Sequence, residues 1–337
     1  MPAATLVRFL PLGPWRLGPD SGERDGVETV LHSDTLYSSI CWAMQRLGLL
    51  DQWLEATLAE PAGPAVKFSS GFPFAQDLLF VVPPAGFWPP APSLRIRWKG
   101  ARFIPFQAVH ALLADEPLSE DQWRVDGASS CLIPSGWSLG PFRPAKRFRA
   151  AVDRLSGKVA VHGTGCLEFS PGAGIWAAAI YRDEQAYERW AAPVRAALRL
   201  LADSGVGGER SSGWGHSGQP VFTEGSFPEL LLAPAADSGA EVGWGWWLLS
   251  LYSPSPDDRV NWSRGEYELV LRSGRVIESG GGAVKRQTRM VKEGSVLVCE
   301  NEPRGFAPVV TPPGCPHPVY RAGFAVSVPV PIREVQR

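Results

Sequence analysis

Residues 175–218 read IWAAAIYRDEQAYERWAAPVRAALRLLADSGVGGERSSGWGHSG, and the chain changes character twice within them. "IWAAAIY" is a short continuous apolar run, the pattern of a buried strand. The period then lengthens: Tyr187, Trp190, Ala191, Val194, Ala197, Leu198 and Leu201 fall on one helical face, and Pro193 inside that run predicts a kink or restart. The remainder, 205–218, carries six glycines and three serines. A helix end asks for one glycine and a hairpin turn for one or two, so several are in excess. Repeated glycines let backbone N–H groups approach an anion closely, and successive N–H groups form a concave anion site. On this reading Gly205, Gly207, Gly208 and Gly213 shape the backbone. Arg210 pairs with a phosphate, Ser211 and Ser212 donate to it, and Trp214 or His216 stacks on a base. The alternative is a polar connector between a helix and a strand. No GK[ST] follows, so the stretch is not a nucleotide P-loop.

The same strand-then-helix order opens the chain. "ATLVRFLPL" reads as a strand, and "LHSDTLYSSICWAMQRLGLL" places Leu36, Ile40, Ala43, Met44 and Leu47 on one helical face. Ser33 is the expected cap of that helix, with Asp34 against its positive end. "LLFVVPP" (78–84) reads as the next strand. Residues from about 95 to 175 contain strand-like pieces without a long helix, an insertion with an extended hairpin. The Ala-, Pro-, Ser- and Gly-rich stretch 228–242 reads as a linker. Four strands are expected beyond it, in "GWGWWLLSLYSP", "EYELVLRSGRVI", "GSVLVCEN" and "VYRAGFAVSVPV". The fold class is α+β, with a first domain over 1–227 and a smaller β-rich one over 243–337.

Composition narrows the function. The chain has 337 residues and a formal net charge of −1, too little to coat nucleic acid with the whole surface. The charge is uneven, however. Arg143, Lys146, Arg147, Arg149, Arg154 and Lys158 stand against Asp153 alone. Arg272, Arg275, Lys285, Arg286, Arg289 and Lys292 stand against Glu278 alone. Such runs fit a polyanion track, or else two solvated loops. Five scattered cysteines form no CxxC pair, which predicts neither a disulfide framework nor a zinc knuckle and suits a reducing, cytoplasmic setting. No signal peptide or membrane span is read. The five histidines show no metal-ligand spacing, so no metal or cofactor is expected. Trp244, Trp246 and Trp247 are either core or subunit interface.

Four stretches, "LHSDTLYSSIC", "AVDRLSGKVAVHGTGCLEF", "DSGVGGERSSGWGHSG" and "HPVYRAGFAVSVPV", resemble in order and spacing the RAMP superfamily of CRISPR proteins. Within it they are most similar to the fourth-subunit family of the Csm complex, the type III-A effector. The resemblance implies two ferredoxin-like (RRM-like) units, the first with a long hairpin insertion and the second reduced. It implies a non-catalytic subunit that binds the 5' handle of CRISPR RNA and joins the large signalling and nuclease subunit to the repeated backbone subunits. It places RNA contacts at the glycine loop, an extended hairpin at Asp153–Gly163, and a basic loop at Lys285, Arg286 and Arg289. No RRM-like "RGFGFV" run is present, so readout falls to loops. Two alternatives stay open: a RAMP endoribonuclease using His32 or His162 as general base, and the equivalent subunit of a type III-B complex.

Overall fold

The computed structural model of the chain describes all residues except 20–22, 61, 91–96, 233–242, 277–281 and 333–337. Most of the expected linker, 233–242, lies outside the described residues.

The first unit contains β1 (Ala3–Phe9), β2 (Val66–Phe68), β3 (Phe72–Ala75), β4 (Leu78–Val81), β5 (Ile104–Pro105), β6 (Trp123–Asp126), β7 (Cys131–Pro134), β8 (Phe142–Val152), β9 (Val159–Phe169), β10 (Ala173–Tyr181) and β11 (Val221–Ser226). Its helices are α1 (Ser33–Arg46), α2 (Leu50–Leu54), α3 (Phe106–Leu113) and α4 (Glu184–Ser204). The main sheet runs β11-β1-β10-β3-β4-β5 with β2 also on β10, and its pairs are antiparallel. Helix α1 follows β1 and α4 follows β10. The two helices pack against each other, so each crossover spans the strand of the other.

All nine residues of β10 are buried, which explains its unbroken apolar run. On the helical side, Trp53 meets Trp190 edge to face at 5.1 Å. On the other, Trp176 lies 5.6 Å from Phe106, which in turn meets Trp247 of the second unit. The α4 face predicted from Trp190 to Leu201 is buried as expected. Two local expectations are corrected. Pro193 sits inside one continuous helix, capped by Asp183 through the Ala186 N–H at 2.8 Å. Ser33 is not the cap of α1: it is the first helical residue, and its Oγ accepts from the Leu251 N–H at 3.0 Å across to the second unit.

The stretch 95–175 is more than an insertion, because β5 extends the main sheet and α3 covers it. The extended hairpin is β8–β9, in register from Phe142 opposite Phe169 to Val152 opposite Val159. Asp153–Gly163 therefore covers only its tip and part of its return strand.

The second unit has seven short strands where four were expected: β12 (Trp244–Leu248), β13 (Leu269–Arg272), β14 (Thr288–Val291), β15 (Val296–Leu297), β16 (Gly305–Phe306), β17 (Gly323–Phe324) and β18 (Ser327–Pro331). They form a sheet β15-β12-β18 and two strand pairs, with no α-helix among the described residues beyond 243. The two units share one core, since Trp247, Leu249, Val326 and Val328 join the cluster that contains Ile40 and Trp176.

Candidate nucleic-acid interface

Where the first turns of α1 meet the second unit, three buried charges are joined. Asp34 receives Arg272 Nη2 at 2.9 Å on one carboxylate oxygen and Arg321 Nη1 at 2.8 Å on the other. Burial alone would raise the Asp34 carboxyl, but the charge and hydrogen bonds of Arg272, with Arg321 behind it, hold it down at about 2. A few residues earlier His32 Nδ1 lies 2.8 Å from Glu293 Oε1, which also takes the Ser70 hydroxyl. His32 is buried at this seam. His162 stands opposite Arg149 on the hairpin.

Above the Asp34 cluster opens a cleft of about 650 Å³. One wall is α1 with Thr35, Ser38, Ser39 and Trp42. The second is the glycine loop with Gly205, Gly207, Gly208 and Arg210. The third is the 272–287 segment with Arg275 and Lys285, and Arg16 stands at the rim. Burial pushes the Lys285 ammonium below the usual lysine range, and the nearby Arg321 adds to that shift while Asp34 opposes it. Arg210 lays its guanidinium 5.2 Å from the Trp42 ring centre, and both also line a second opening beside the cleft with Ser211 and His216. Two stretches about seventy residues apart in sequence, each read separately as basic or glycine-rich, thus face one cavity.

The glycine loop is placed as expected, yet its glycines serve packing more than an open anion cradle. A Cβ on Gly207 would lie 2.2 Å from the Arg16 carbonyl oxygen, and one on Gly205 would lie 2.7 Å from that of Trp214. Both have positive φ, +87° and +84°. The N–H groups of Gly205, Gly208, Ser212 and Gly213 already bond to Leu201, Arg16, Glu209 and Arg210 carbonyls. Those of Glu209, Arg210 and Ser211, at the start of the 3₁₀ turn Arg210–Ser212, have no acceptor among the described residues. The free N–H groups at this turn are therefore those of Glu209, Arg210 and Ser211.

Trp214 is corrected as a stacking platform. It is buried, and Arg149 covers its ring at 5.3 Å while bonding Glu209 Oε2 at 2.9 Å and Ser212 Oγ at 2.6 Å. The hairpin's charge is also smaller than its sequence count: Arg143 and Arg147 pair with Glu168, Lys146 with Asp25, and Arg149 with Glu209. Arg154 and Lys158 lie at the exposed tip and do not line the cleft; neither do Arg286 and Arg289. Among the cations of the two basic runs and the glycine loop, Arg210, Arg272, Arg275 and Lys285 line it.

The sequence reading passed over Arg16, Trp42 and Arg321. A signal for Trp42 existed: Thr35, Ser38, Ser39, Trp42 and Arg46 follow helical spacing on one side of α1, where Trp42 is only partly buried against the core. Arg321 carried none, because its burial depends on Asp34, 287 residues away. No group of His, Cys, Asp or Glu among the described residues is placed to hold a metal ion. No described helix is long and apolar enough to cross a membrane.

Comparison with known proteins agrees with this architecture. Residues 243–330 match the family model described as "CRISPR Csm4 C-terminal domain". A chain of the "Crystal structure of Csm3-Csm4 subcomplex in the type III-A CRISPR-Cas interference complex" superposes with TM-score 0.65 at 15% identity, over 98% of this chain and 100% of that one. A chain of the "Crystal structure of Csm1-Csm4 cassette in complex with cA4" gives TM-score 0.60 at 16% identity, over 99% and 100%. No curated protein sequence matches the chain.

Proposed function

We propose that this chain, of the Csm4 type by its C-terminal domain and its fold, is a non-catalytic RNA-binding subunit of a type III-A CRISPR effector, holding the 5' handle of the CRISPR RNA in the cleft between its two units. The strand order β11-β1-β10-β3, with a helix after β1 and after β10, supports reading the first unit as ferredoxin-like; the second, with no α-helix among its described residues, keeps the strands. The observation that carries the proposal is the convergence on one cavity of Arg210, the glycine loop, Lys285, Arg275 and Arg16, with no carboxylate but the already paired Asp34 among the described residues that line it. Arg210 and Lys285 form no ion pair among the described residues, so both are available to phosphates. Trp42 does not replace Trp214 as a stacking surface, since the guanidiniums of Arg46 and Arg210 lie over its ring at 4.9 Å and 5.2 Å. Cleavage chemistry is not required of this cleft: His32 is buried against Glu293 and His162 lies out on the hairpin, so neither lines it. In the effector the subunit joins the large subunit to the first backbone subunit; the Csm1-Csm4 and Csm3-Csm4 structures of similar chains support that pairing.

Fluorescence anisotropy with a labelled repeat-derived handle RNA, across a salt series, tests this. Replacing Arg210 or Lys285 by Ala is expected to weaken binding and to reduce the log–log salt slope by about one each. Unchanged affinity and slope in both variants would refute the cleft as the RNA site, and specific cutting of repeat RNA by the isolated protein would refute the non-catalytic reading.

A further inference from the structure

Outside the cleft, β13 is paired on one side alone among the described residues. Its pairing with β14 sets Leu269 opposite Val291 and Leu271 opposite Arg289. Val291 exchanges both of its main-chain hydrogen bonds with Tyr252 on its other side, while the Lys292 N–H donates to the Glu268 carbonyl. In an antiparallel ladder this parity turns the N–H and C=O of Leu269 and Leu271 away from β14. Among the described residues they have no partner. β13 is thus an open edge.

The side chains on it are equally unusual. Tyr267, Leu269 and Leu271 alternate along one face of the strand and are 40%, 49% and 51% exposed. Trp262, 37% exposed, packs edge to face on Tyr267 at 5.1 Å and lengthens the stripe. Edge strands in stable monomers are blunted by lysine, proline or a bulge, because an apolar edge with free backbone groups pairs with other chains. None of those devices occurs at 267–271, and exposed Arg289 beside Leu271 adds one positive charge to the stripe's far end.

We propose that β13 is a docking edge: an extended segment of another protein subunit of the effector adds to it as a strand. Free N–H and C=O groups two residues apart demand an extended backbone, which a folded helix or a nucleic acid cannot supply. The exposed stripe calls for apolar side chains at alternate positions of the incoming strand, and Arg289 for an acidic residue near one end. The proposal rests on the reading of this chain as an effector subunit.

The test uses the full chain and purified large and backbone subunits of the same effector in separate binding titrations. Two variants separate contact from folding. L269D/L271D removes the apolar stripe. Leu271→Pro deletes an N–H that faces away from β14 together with one leucine of the stripe, and leaves the hydrogen bonds of the β13–β14 ladder intact. Affinity for one of the two subunits is expected to fall about tenfold or more in each variant, with the thermal melt and handle-RNA affinity unchanged. Wild-type binding that both variants retain would overturn the docking edge while leaving the subunit reading in place. If the wild type binds neither subunit, both fall. A concentration-dependent dimer lost in both variants would also overturn the proposal, by making a second copy the occupant, as would loss of RNA affinity in place of partner affinity.

Discussion

Replacing Asp34 by Asn removes the counter-charge of two arginines that are 5% and 3% exposed. The native carboxyl titrates at about 2 against an ordinary 3.8. At about 1.4 kcal/mol per unit, its ionised form therefore contributes roughly 2–3 kcal/mol to folding at neutral pH. That figure is a floor, because Asn offers one acceptor oxygen where the carboxylate offers one to each arginine, and cutting one partner from a buried ionic cluster costs about 3–5 kcal/mol. We expect Asp34→Asn to lose about 3 kcal/mol, read from urea unfolding followed by tryptophan fluorescence. The pH dependence gives an independent check. A carboxyl whose folded value is depressed stabilises above its unfolded value and loses that contribution as pH falls through the folded one. The gap between wild type and variant should thus be full at pH 7 and close between about pH 4 and pH 2. Coincident unfolding midpoints at pH 7, or a gap that persists below pH 2, would refute the assignment of Asp34 as the charge that holds Arg272 and Arg321.

Gly207→Val should destabilise the fold and not merely obstruct RNA, since its Cβ meets the Arg16 carbonyl at 2.2 Å and φ is positive; a thermal melt matching the wild type would contradict this. Arg149→Glu should release the hairpin from the glycine loop by removing its bonds to Glu209 and Ser212 and its cover over Trp214, visible as faster amide exchange across 209–214; unchanged exchange there would show that the contact does not hold the loop. Among the tryptophans, Trp247→Ala should cost about 3–5 kcal/mol because the side chain is wholly buried, whereas Trp244→Ala, at 50% exposure, should leave stability within about 0.5 kcal/mol.

What the sequence disclosed was the part governed by local period. The β10–α4–glycine-loop order was legible because the apolar spacing of Trp190, Val194, Leu198 and Leu201 is fixed by helix geometry wherever it occurs. Strands β2 and β3 were not, since "VKF" and "FPFA" are too short to show a period and Pro73 argues against a strand until β10 is seen beside it. The glycine loop was found for a reason only partly right: Gly207 answers to Arg16, almost two hundred residues earlier. Charge counting failed for the same cause. Glu168 and Glu209 neutralise Arg143, Arg147 and Arg149 from outside the window counted, while Lys285 gains its cleft position from α1 and Arg210.

The seam built by Asp34, Arg272 and Arg321 bears on how the protein comes to exist in the cell. A nascent chain released through residue 227 already holds β1, α1, β10, α4 and the glycine loop, and so most of the main sheet. It lacks the cleft's third wall: Lys285 and Arg275 are unmade, and Asp34 waits without either arginine. The cavity is completed only when Arg321, nearly the last described buried charge, docks onto the helix that was translated among the first. The cleft is thereby tied to synthesis of the second unit, and a fragment ending at the linker would lack its third wall and part of the shared core.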